Sequence, residues 1–182
     1  MESGALIAVL QQAVPGASID GAPSIDLHAT IVVGREHVEA VARALRDVPE
    51  LAFSLLAELT AVDYWPREPR YELVYLLVSI ANRQRLRMKV PLATAEAHVA
   101  TVTGIWPAAN WLEREVWDLF GIAFDGHPDP RRLLMPEDWE GHPLRKDYPV
   151  QIHMTPRATE PLQMTPEEFR ANVERDRLVR RE

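Results

Sequence analysis

Cysteine is absent from this chain of 182 residues. Its absence excludes disulfides, thiolate nucleophiles, zinc fingers and iron–sulfur clusters ligated by cysteine. The eight glycines never form a G-x-G-x-x-G or P-loop motif, and the sequence contains no G-x-S-x-G nucleophile elbow. The chain therefore has no visible means of binding a dinucleotide, and any redox centre would have to use histidine or belong to a partner.

Long apolar runs and basic stripes are also lacking. The longest apolar run, residues 73–81, is interrupted by Ser79 and is less than half of a membrane span. The first residues carry no basic n-region, so we expect no signal peptide. The formal net charge is −7, and the nearest basic stretches (83–89 and 175–181) are diluted by other residues, which argues against nucleic-acid binding. We expect a soluble, cytoplasmic protein that can sit on a membrane-bound partner.

Apolar periodicity predicts a mixture of helices and strands in the first two thirds of the chain. Hydrophobic residues make up 47% of the sequence, which suffices for one folded domain plus a tail. The predicted helices are residues 4–12, 36–48, 95–103 (capped by Thr94) and 111–120, and the predicted strands are residues 25–33, 71–80 and 85–90. Residues 53–62 fit either a strand or a helical turn, and the strand is favoured.

A dense charge cluster lies on the last of these helices. Asn110 is predicted to cap it, with Glu113 returning the bond as in a capping box, and Gly121 to end it. Glu113 and Glu115 point about 200° apart on a helix, so they cannot share a proton. This geometry argues against an acid–base role for the two carboxylates. The charge cluster is then either a charged docking face or part of a capped helix stabilised by salt bridges.

The same helix offers two further pairings. Glu115 and Asp118, three positions apart, can be neighbours. Arg114 and Asp118, four positions apart, are predicted to form an ion pair.

The second part of the chain is rich in proline. Residues 127–166 contain eight prolines in forty positions. Proline donates no backbone hydrogen bond and resists both helices and central strands. We therefore predict a core domain over residues 1–125 and an extended docking arm over residues 126–182, which takes its shape from a neighbouring polypeptide. The arm is predicted to end in an amphipathic helix, residues 166–179, capped by Thr165.

Histidines and carboxylates in the arm allow a metal site to be considered. His127 and His142, with Asp129 and Asp147, carry suitable ligand atoms. Their spacing matches no compact metal motif, and proline neighbours both histidines. Hydrogen bonding in turns or at an interface is the better interpretation.

The other polar side chains of the arm also favour an interface. Arginine makes planar bidentate contacts, so Arg131, Arg132, Arg145 and Lys146 are interpreted as partners for carboxylates or carbonyls of a neighbouring protein. Trp139 has no local core to enter; it either anchors an interface or folds back on its own domain.

The combined pattern resembles the 30-kDa subunit family of respiratory complex I. The motif is Glu-Arg-Glu, then Asp, two apolar residues, His, Arg and an aliphatic residue. It consists here of Glu113, Arg114, Glu115, Asp118, Leu119, Phe120, His127, Arg131 and Leu133. The stretch 141–149, the stretch 59–64 and the 71–90 hairpin are similar to the family as well.

The resemblance implies an α+β fold: a two-layer domain with a mixed β-sheet packed by helices. It implies a non-catalytic structural subunit in the peripheral arm of a proton-translocating NADH:quinone oxidoreductase (complex I), on the cytoplasmic side of the membrane. The partner would be chiefly the large quinone-site subunit, known as the D subunit, beside others that carry clusters. The chain itself would bind no cofactor, because FMN, the iron–sulfur clusters and quinone belong to partner subunits.

The residues expected to dock on partners are charged or aromatic side chains of the motif and the arm. They are Glu113, Arg114, Glu115, Asp118, His127, Arg131, Trp139, His142, Arg145, Lys146, Asp147 and Tyr148. One alternative is the equivalent subunit of a related membrane-bound hydrogenase or another donor:quinone oxidoreductase. An alternative of another class is an autonomous hydrolase or metalloenzyme using Glu115, Asp118 and His127.

Overall fold

A computed structural model describes residues 3–26, 28–149, 165 and 167–171. These residues form three helices and seven strands in two sheets, plus one further helical turn at residues 167–171. The helices are α1 (Ser3–Ala13), α2 (Val38–Asp47) and α3 (Ala109–Phe120), and the strands are β1 (Ile19–Gly21), β2 (Ala29–Val33), β3 (Leu55–Asp63), β4 (Tyr71–Ser79), β5 (Gln84–Leu92), β6 (His98–Ala100) and β7 (Ala123–Asp125).

The main sheet has five strands in the order β1-β2-β5-β4-β3. The pair β2–β5 is parallel, and the other neighbours are antiparallel, so the sheet is mixed. A bulge interrupts the β3–β4 ladder between Leu56 and Glu58. The strands β6 and β7 form a small separate parallel pair, in which His98 lies opposite Ala123. The order leaves β3 at one edge of the main sheet.

The core lies on one face of the main sheet. In β4 and β5, alternate residues are buried, because successive side chains in a strand point to opposite faces. The apolar ones among those buried residues form one cluster with the buried faces of the three helices. The Trp106 indole lies in this cluster and donates to the Phe53 carbonyl oxygen at 3.0 Å. The opposite face of the main sheet carries the more accessible side chains.

Most of the predicted elements are confirmed. The helix predicted over residues 36–48 is present as a short 3-10 turn followed by α2, and Val38, Val41, Ala42 and Leu45 are buried as expected. The predicted strands 53–62, 71–80 and 85–90 correspond to β3, β4 and β5. The strand predicted over residues 25–33 is shorter and begins at Ala29.

The helix predicted over residues 95–103 is wrong. Thr94 begins a 3-10 turn, and Val99 lies in the strand β6. The helical spacing was misleading. Val99 and Val102 are buried, as a helix would require, but Ala95, the third residue of the predicted buried face, is exposed. The pairing of β6 with β7 determines the structure here, and β7 is distant in sequence.

The compact unit continues to Tyr148, beyond the predicted boundary at residue 125. We call residues 126–149 the return segment. It has no helix or strand, as its prolines predict. However, its residues up to Tyr148 lie within the first compact unit rather than in a separate arm, because its charged groups bond to α3 and to Arg70, the residue before β4.

A second unit comprises residues 149–182, of which few are described. The Thr165 hydroxyl accepts the Glu168 N–H at 3.2 Å, and the Glu168 carboxylate accepts the Thr165 N–H at 2.7 Å. This reciprocal pair is a capping box, which confirms Thr165 as the predicted cap. The remainder of the predicted helix lies outside the described residues.

Candidate functional site

Asp118 is the main anchor of the return segment. Its carboxylate is fully buried, and one oxygen accepts the backbone N–H groups of Leu133, Leu134 and Met135 at 3.0, 2.7 and 2.8 Å. The other oxygen accepts a hydrogen bond from the Arg132 guanidinium at 2.6 Å. Burial opposes ionisation, but these bonds outweigh it and lower the pKa of Asp118. The ionised carboxylate therefore organises three consecutive residues of an irregular segment.

Arg114 makes a second attachment, although not the predicted one. Its guanidinium donates to the carbonyl oxygens of Arg131 and Arg132 at 3.0 and 3.1 Å. It lies 3.6 Å from the Asp129 carboxylate, and its central carbon is 5.1 Å from the centre of the exposed Trp111 ring. The predicted ion pair between Arg114 and Asp118 is wrong, because both side chains find partners in the return segment.

The C-terminal end of α3 is capped by residues of the same segment. The His142 ring donates from Nδ1 to the Asp118 carbonyl oxygen at 3.0 Å. Arg145 donates to the carbonyl oxygens of Phe120 and Gly121. Gly121 ends the helix as predicted, with a left-handed φ of 73°. Donors placed here satisfy carbonyl groups that have no partner within a helix.

A third attachment joins the return segment to the sheet. Arg70, the residue before β4, is almost fully buried, and its guanidinium contacts the carboxylates of Asp63 and Asp147 at 2.9 and 2.7 Å. Asp63 also accepts the backbone N–H of Lys146 at 2.8 Å. Burial alone would raise the pKa of Asp63, but bonds from Arg70 and from two backbone N–H groups lower it well below its usual range. The Arg70 bond lowers the pKa of Asp147 as well.

Glu113 has a different environment from the other motif residues. Its carboxylate is fully buried and accepts the Val102 N–H at 2.7 Å and the Thr101 hydroxyl at 2.5 Å. Burial raises the pKa of Glu113 to about 7, although both hydrogen bonds oppose the rise. These bonds replace the predicted capping box, because α3 begins at Ala109 and has no side-chain cap.

His127 lies beside this carboxylate. Its Nε2 atom is 3.9 Å from Glu113 and 3.1 Å from the Asn110 carbonyl oxygen, while Nδ1 faces the Asp129 N–H at 3.0 Å. The backbone donor at Nδ1 requires the tautomer protonated on Nε2. Glu113 and His127 border a small cavity of about 100 Å³, whose lining includes Trp117 and Phe124.

The predicted docking residues are thus brought together, and most of them bond within the chain. Glu115 faces partly outward and has no hydrogen-bond or ion-pair partner in the described part of the chain. Trp139 is half-buried against its own chain. The residues with side chains almost entirely buried are Glu113, Arg114, Asp118 and His127; the half-buried ones are Glu115, Trp139, His142, Arg145 and Tyr148; and the exposed ones are Arg131, Lys146 and Asp147.

Sequence reasoning missed three residues of the arrangement. Asp63 and Arg70 are seven positions apart and form a buried pair, and Arg70 also donates to the Asp147 carboxylate. Asp63 stands in the 59–64 stretch, which the family resemblance had already marked, although it gave no role. Thr101 gave no signal, because its contact with Glu113 depends on a fold in which β6 had not been predicted.

The profile of the family described as "Respiratory-chain NADH dehydrogenase, 30 Kd subunit" matches residues 31–153 of the chain. The chain belongs to this family. The match includes α3 and all three attachments of the return segment. The resemblance seen in the sequence is therefore confirmed.

Curated relatives in the 30-kDa family share up to half of their aligned residues with this chain. The C subunit of the NADH-quinone oxidoreductase of Geotalea uraniireducens is 50% identical over 122 residues, covering 67% of this chain and 73% of its own. The C subunit of the same enzyme from a Roseiflexus species is 47% identical over 150 residues, covering 82% of this chain and 86% of its own.

Two solved structures support the α+β fold. A trypsin-resistant fragment of Nqo5 is 34% identical, with a TM-score of 0.54, and the match covers 68% of this chain and 98% of the fragment. A chain of an archaeal membrane-bound sulfane sulfur reductase, a respiratory membrane complex, is 29% identical, with a TM-score of 0.64 over 81% of this chain and 85% of that one. The predicted mixed sheet packed by helices is therefore confirmed.

Membrane spans and metal sites are both missing from the described residues. No helix in the described ranges has the length and apolar character needed to cross a membrane. Within the same part of the chain, no three His, Asp or Glu side chains converge as a metal site would require.

Proposed function

We propose that this chain is the 30-kDa subunit of a proton-translocating NADH:quinone oxidoreductase, the one called the C subunit in its bacterial relatives. In this role it is a non-catalytic structural component of the peripheral arm, held on the cytoplasmic side of the membrane by its partners. It docks on the large quinone-site subunit and supports electron transfer from NADH to quinone. The names of the curated relatives support this proposal. FMN, the clusters and quinone are held by the partner subunits.

The observation that carries the proposal is that two charged side chains of the family motif form their hydrogen bonds within the chain itself. Asp118 and Arg114 direct their polar atoms into the return segment and fix its backbone. Groups committed to such bonds are suited to holding a shape, since acid–base catalysis requires a group free to exchange a proton with substrate. A fixed surface has value in an electron-transfer assembly, because reacting groups tolerate little displacement.

The docking surface itself consists of the exposed side chains around this framework. Trp111 on α3 is 58% exposed, and Leu134 in the return segment is also 58% exposed. Arg131 and Lys146 are exposed, and Glu115 is partly so. Tryptophan and arginine are the residues that most often dominate binding at interfaces. The buried members of the predicted docking set, such as Asp118, act by positioning this surface.

Assembly in cells tests the proposal. Arg131→Glu should lower the amount of the chain that co-purifies with the large quinone-site subunit, because it reverses the charge of an exposed arginine on the docking surface. Arg43→Glu on α2 is the matched control: Arg43 is exposed and contacts Glu39 at 2.9 Å, as Arg131 contacts Asp129 at 2.7 Å. NADH:quinone activity of the membranes should fall with assembly. Normal assembly and activity of Arg131→Glu, or an equal defect in the control, would contradict this surface.

One structural neighbour favours a second candidate. The sulfane sulfur reductase chain shares the fold over most of its length. The same framework thus suits a subunit of a related respiratory complex with another electron donor, including a membrane-bound hydrogenase. Purifying the complex and identifying its electron donor separates the two candidates. Turnover by the isolated chain would instead support an autonomous hydrolase.

A further inference from the structure

The turn between β4 and β5 forms one end of the main sheet. Leu55, Val78 and Arg85 lie in one row across β3, β4 and β5, because Val78 pairs with both of the others. Directly paired residues point to the same face of a sheet. Arg85 and Leu55 are exposed, so this row lies on the face opposite the core. Ile80 and Arg83 follow in the turn. We call these five residues the hairpin-tip surface.

The apolar part of this surface is unusually accessible. Ile80 is 67% exposed and Leu55 is 43% exposed. Val78 lies between them and is half-buried. A single exposed aliphatic side chain needs no explanation, whereas two exposed ones with a half-buried one between them at the end of a sheet mark a surface suited to a partner.

The two arginines lack carboxylate partners in the described part of the chain. Most other arginines there have one, for example Arg87 with Asp26 and Arg43 with Glu39. The chain carries 27 acidic residues against 20 basic ones, so unpaired arginines run against the overall balance.

Arg83 also adopts a backbone conformation that does not suit arginine. Its φ is 52°, in the left-handed region that favours glycine or asparagine. The turn is held firmly, because the Asn82 side chain donates to the carbonyl oxygens of Glu50 and Leu51 at 3.1 and 3.0 Å. A strained residue maintained in a rigid turn is a reason to look for a function of its side chain.

We propose that the hairpin-tip surface binds a segment of another subunit in which apolar side chains stand next to carboxylates. The inference rests on the proposed function, because it requires an assembled complex. Ile80 and Leu55 contact the apolar side chains, and the arginines contact the carboxylates with bidentate geometry. A second copy of this chain fits less well, since a two-fold contact would bring the arginines of the two copies together.

Photocross-linking in the assembled complex tests this inference. A benzoylphenylalanine replaces Ile80 in the full chain, the cells are irradiated, and the complex is purified through a tag on the large quinone-site subunit. We expect an adduct with a segment of another subunit that has Asp or Glu within a few residues of the attachment point. The inference is overturned by an assembled complex without an adduct, by an adduct with a second copy, or by an adduct with a segment that lacks acidic residues.

Charge variants in the cross-linking background measure the role of the arginines. Arg85→Glu should lower the adduct yield about tenfold, the effect of losing one good interface contact. Arg67→Glu is the matched control, because Arg67 is exposed and also lacks a carboxylate partner among the described residues, but it lies outside the surface. Equal yields from the two variants would contradict the proposal.

Arg83→Asn separates binding from folding. Asparagine tolerates the left-handed conformation, so the Tm of the isolated full chain should stay the same or rise. The adduct yield should nevertheless fall. An unchanged yield would exclude Arg83 from the contact and overturn its assignment. If the chain fails to co-purify with any other subunit, the proposed function fails and this inference with it; loss of the adduct from an intact complex removes the inference alone.

Discussion

Arg70 and Asp147 lie 77 positions apart in the chain, and they form two hydrogen bonds of 3.0 and 2.7 Å. The same guanidinium bonds to the buried Asp63, so one arginine joins the sheet to the return segment. Asp147 is 44% exposed at its side chain, whereas Arg70 is 6% exposed. The contact therefore joins a carboxylate that is partly exposed to solvent with a buried cation.

Removing the charge of Asp147 should loosen the end of the return segment. Asp147→Asn weakens both bonds to Arg70, at a cost of about 1 kcal/mol once solvent screening of the exposed carboxylate is allowed for. We expect trypsin to cleave after Arg145 and Lys146 about fivefold faster in the native protein, because local opening is that much more frequent. Glu140→Gln, at an exposed position in the same segment, should leave the rate unchanged. Equal rates in all three proteins would disprove the contact.

The charge of Asp118 should matter more, because that carboxylate is fully buried. Asp118→Asn leaves Arg132 without its ionic partner and places an amide donor against either Arg132 or the three backbone N–H donors. We expect the free energy of unfolding in urea to fall by about 3 kcal/mol, which is typical of a broken buried pair. Glu115→Gln on the same helix should change it by less than about 0.5 kcal/mol. A small effect of Asp118→Asn would mean that the anchor is not ionised.

The raised pKa of Glu113 predicts an unusual dependence of the free energy of unfolding on pH. Its pKa is about 7 in the folded chain, against 4.5 without the fold. The folded state therefore holds its proton more tightly, and the stabilisation is present below pH 4.5 and is lost as the pH rises through 7. The loss amounts to about 3 kcal/mol, from a shift of roughly 2.5 pKa units.

Glu113→Gln isolates this effect, because glutamine is neutral and keeps a carbonyl oxygen to accept the Val102 N–H. Urea unfolding at pH 5 and pH 8 should show the wild type losing about 2.5 kcal/mol more than the variant, because a small part of the full loss has already occurred at pH 5. Other titrating groups contribute equally to both proteins and cancel in the difference. Parallel profiles for the two proteins would show that Glu113 is ionised throughout.

Sequence patterns predicted the elements whose structure depends on local burial. The alternation in β5 was clear, because Leu86, Met88 and Val90 face the core while the basic residues between them face away from it. The buried residues of α2 likewise recur at helical spacing, so the pattern predicted that helix clearly. In both cases the environment of each residue follows from its neighbours in the chain, so periodicity sufficed.

The remaining structure depends on contacts between distant parts of the chain. The strand β6 has three residues and is defined by pairing with β7, so its helical spacing was misleading. Arg114 and Asp118 stand at the spacing of a helical ion pair, yet each bonds to residues 14 or more positions away. Composition predicted an irregular segment after residue 125 but not the side chains that hold it against α3, because proline content carries no information on partners.

Gly121 tests whether the return segment and the end of α3 depend on each other. Its φ of 73° is unfavourable for alanine. A Cβ atom there would also lie 2.5 Å from the His142 ring and closer still to the Arg145 guanidinium, and both of these groups cap α3. Gly121→Ala should therefore lower the free energy of unfolding by about 2 kcal/mol, from backbone strain and weakened capping.

The same variant should expose Arg145 to trypsin, because displacement of its side chain frees the segment that it holds. Gly104→Ala is the matched control: nothing lies within 4 Å of the added carbon, and its φ is not positive. It should leave the cleavage rate unchanged and the stability unchanged or slightly higher, since alanine reduces the entropy of the unfolded chain. If Gly121→Ala reduced stability without faster cleavage after Arg145, the helix end and the return segment would be independent.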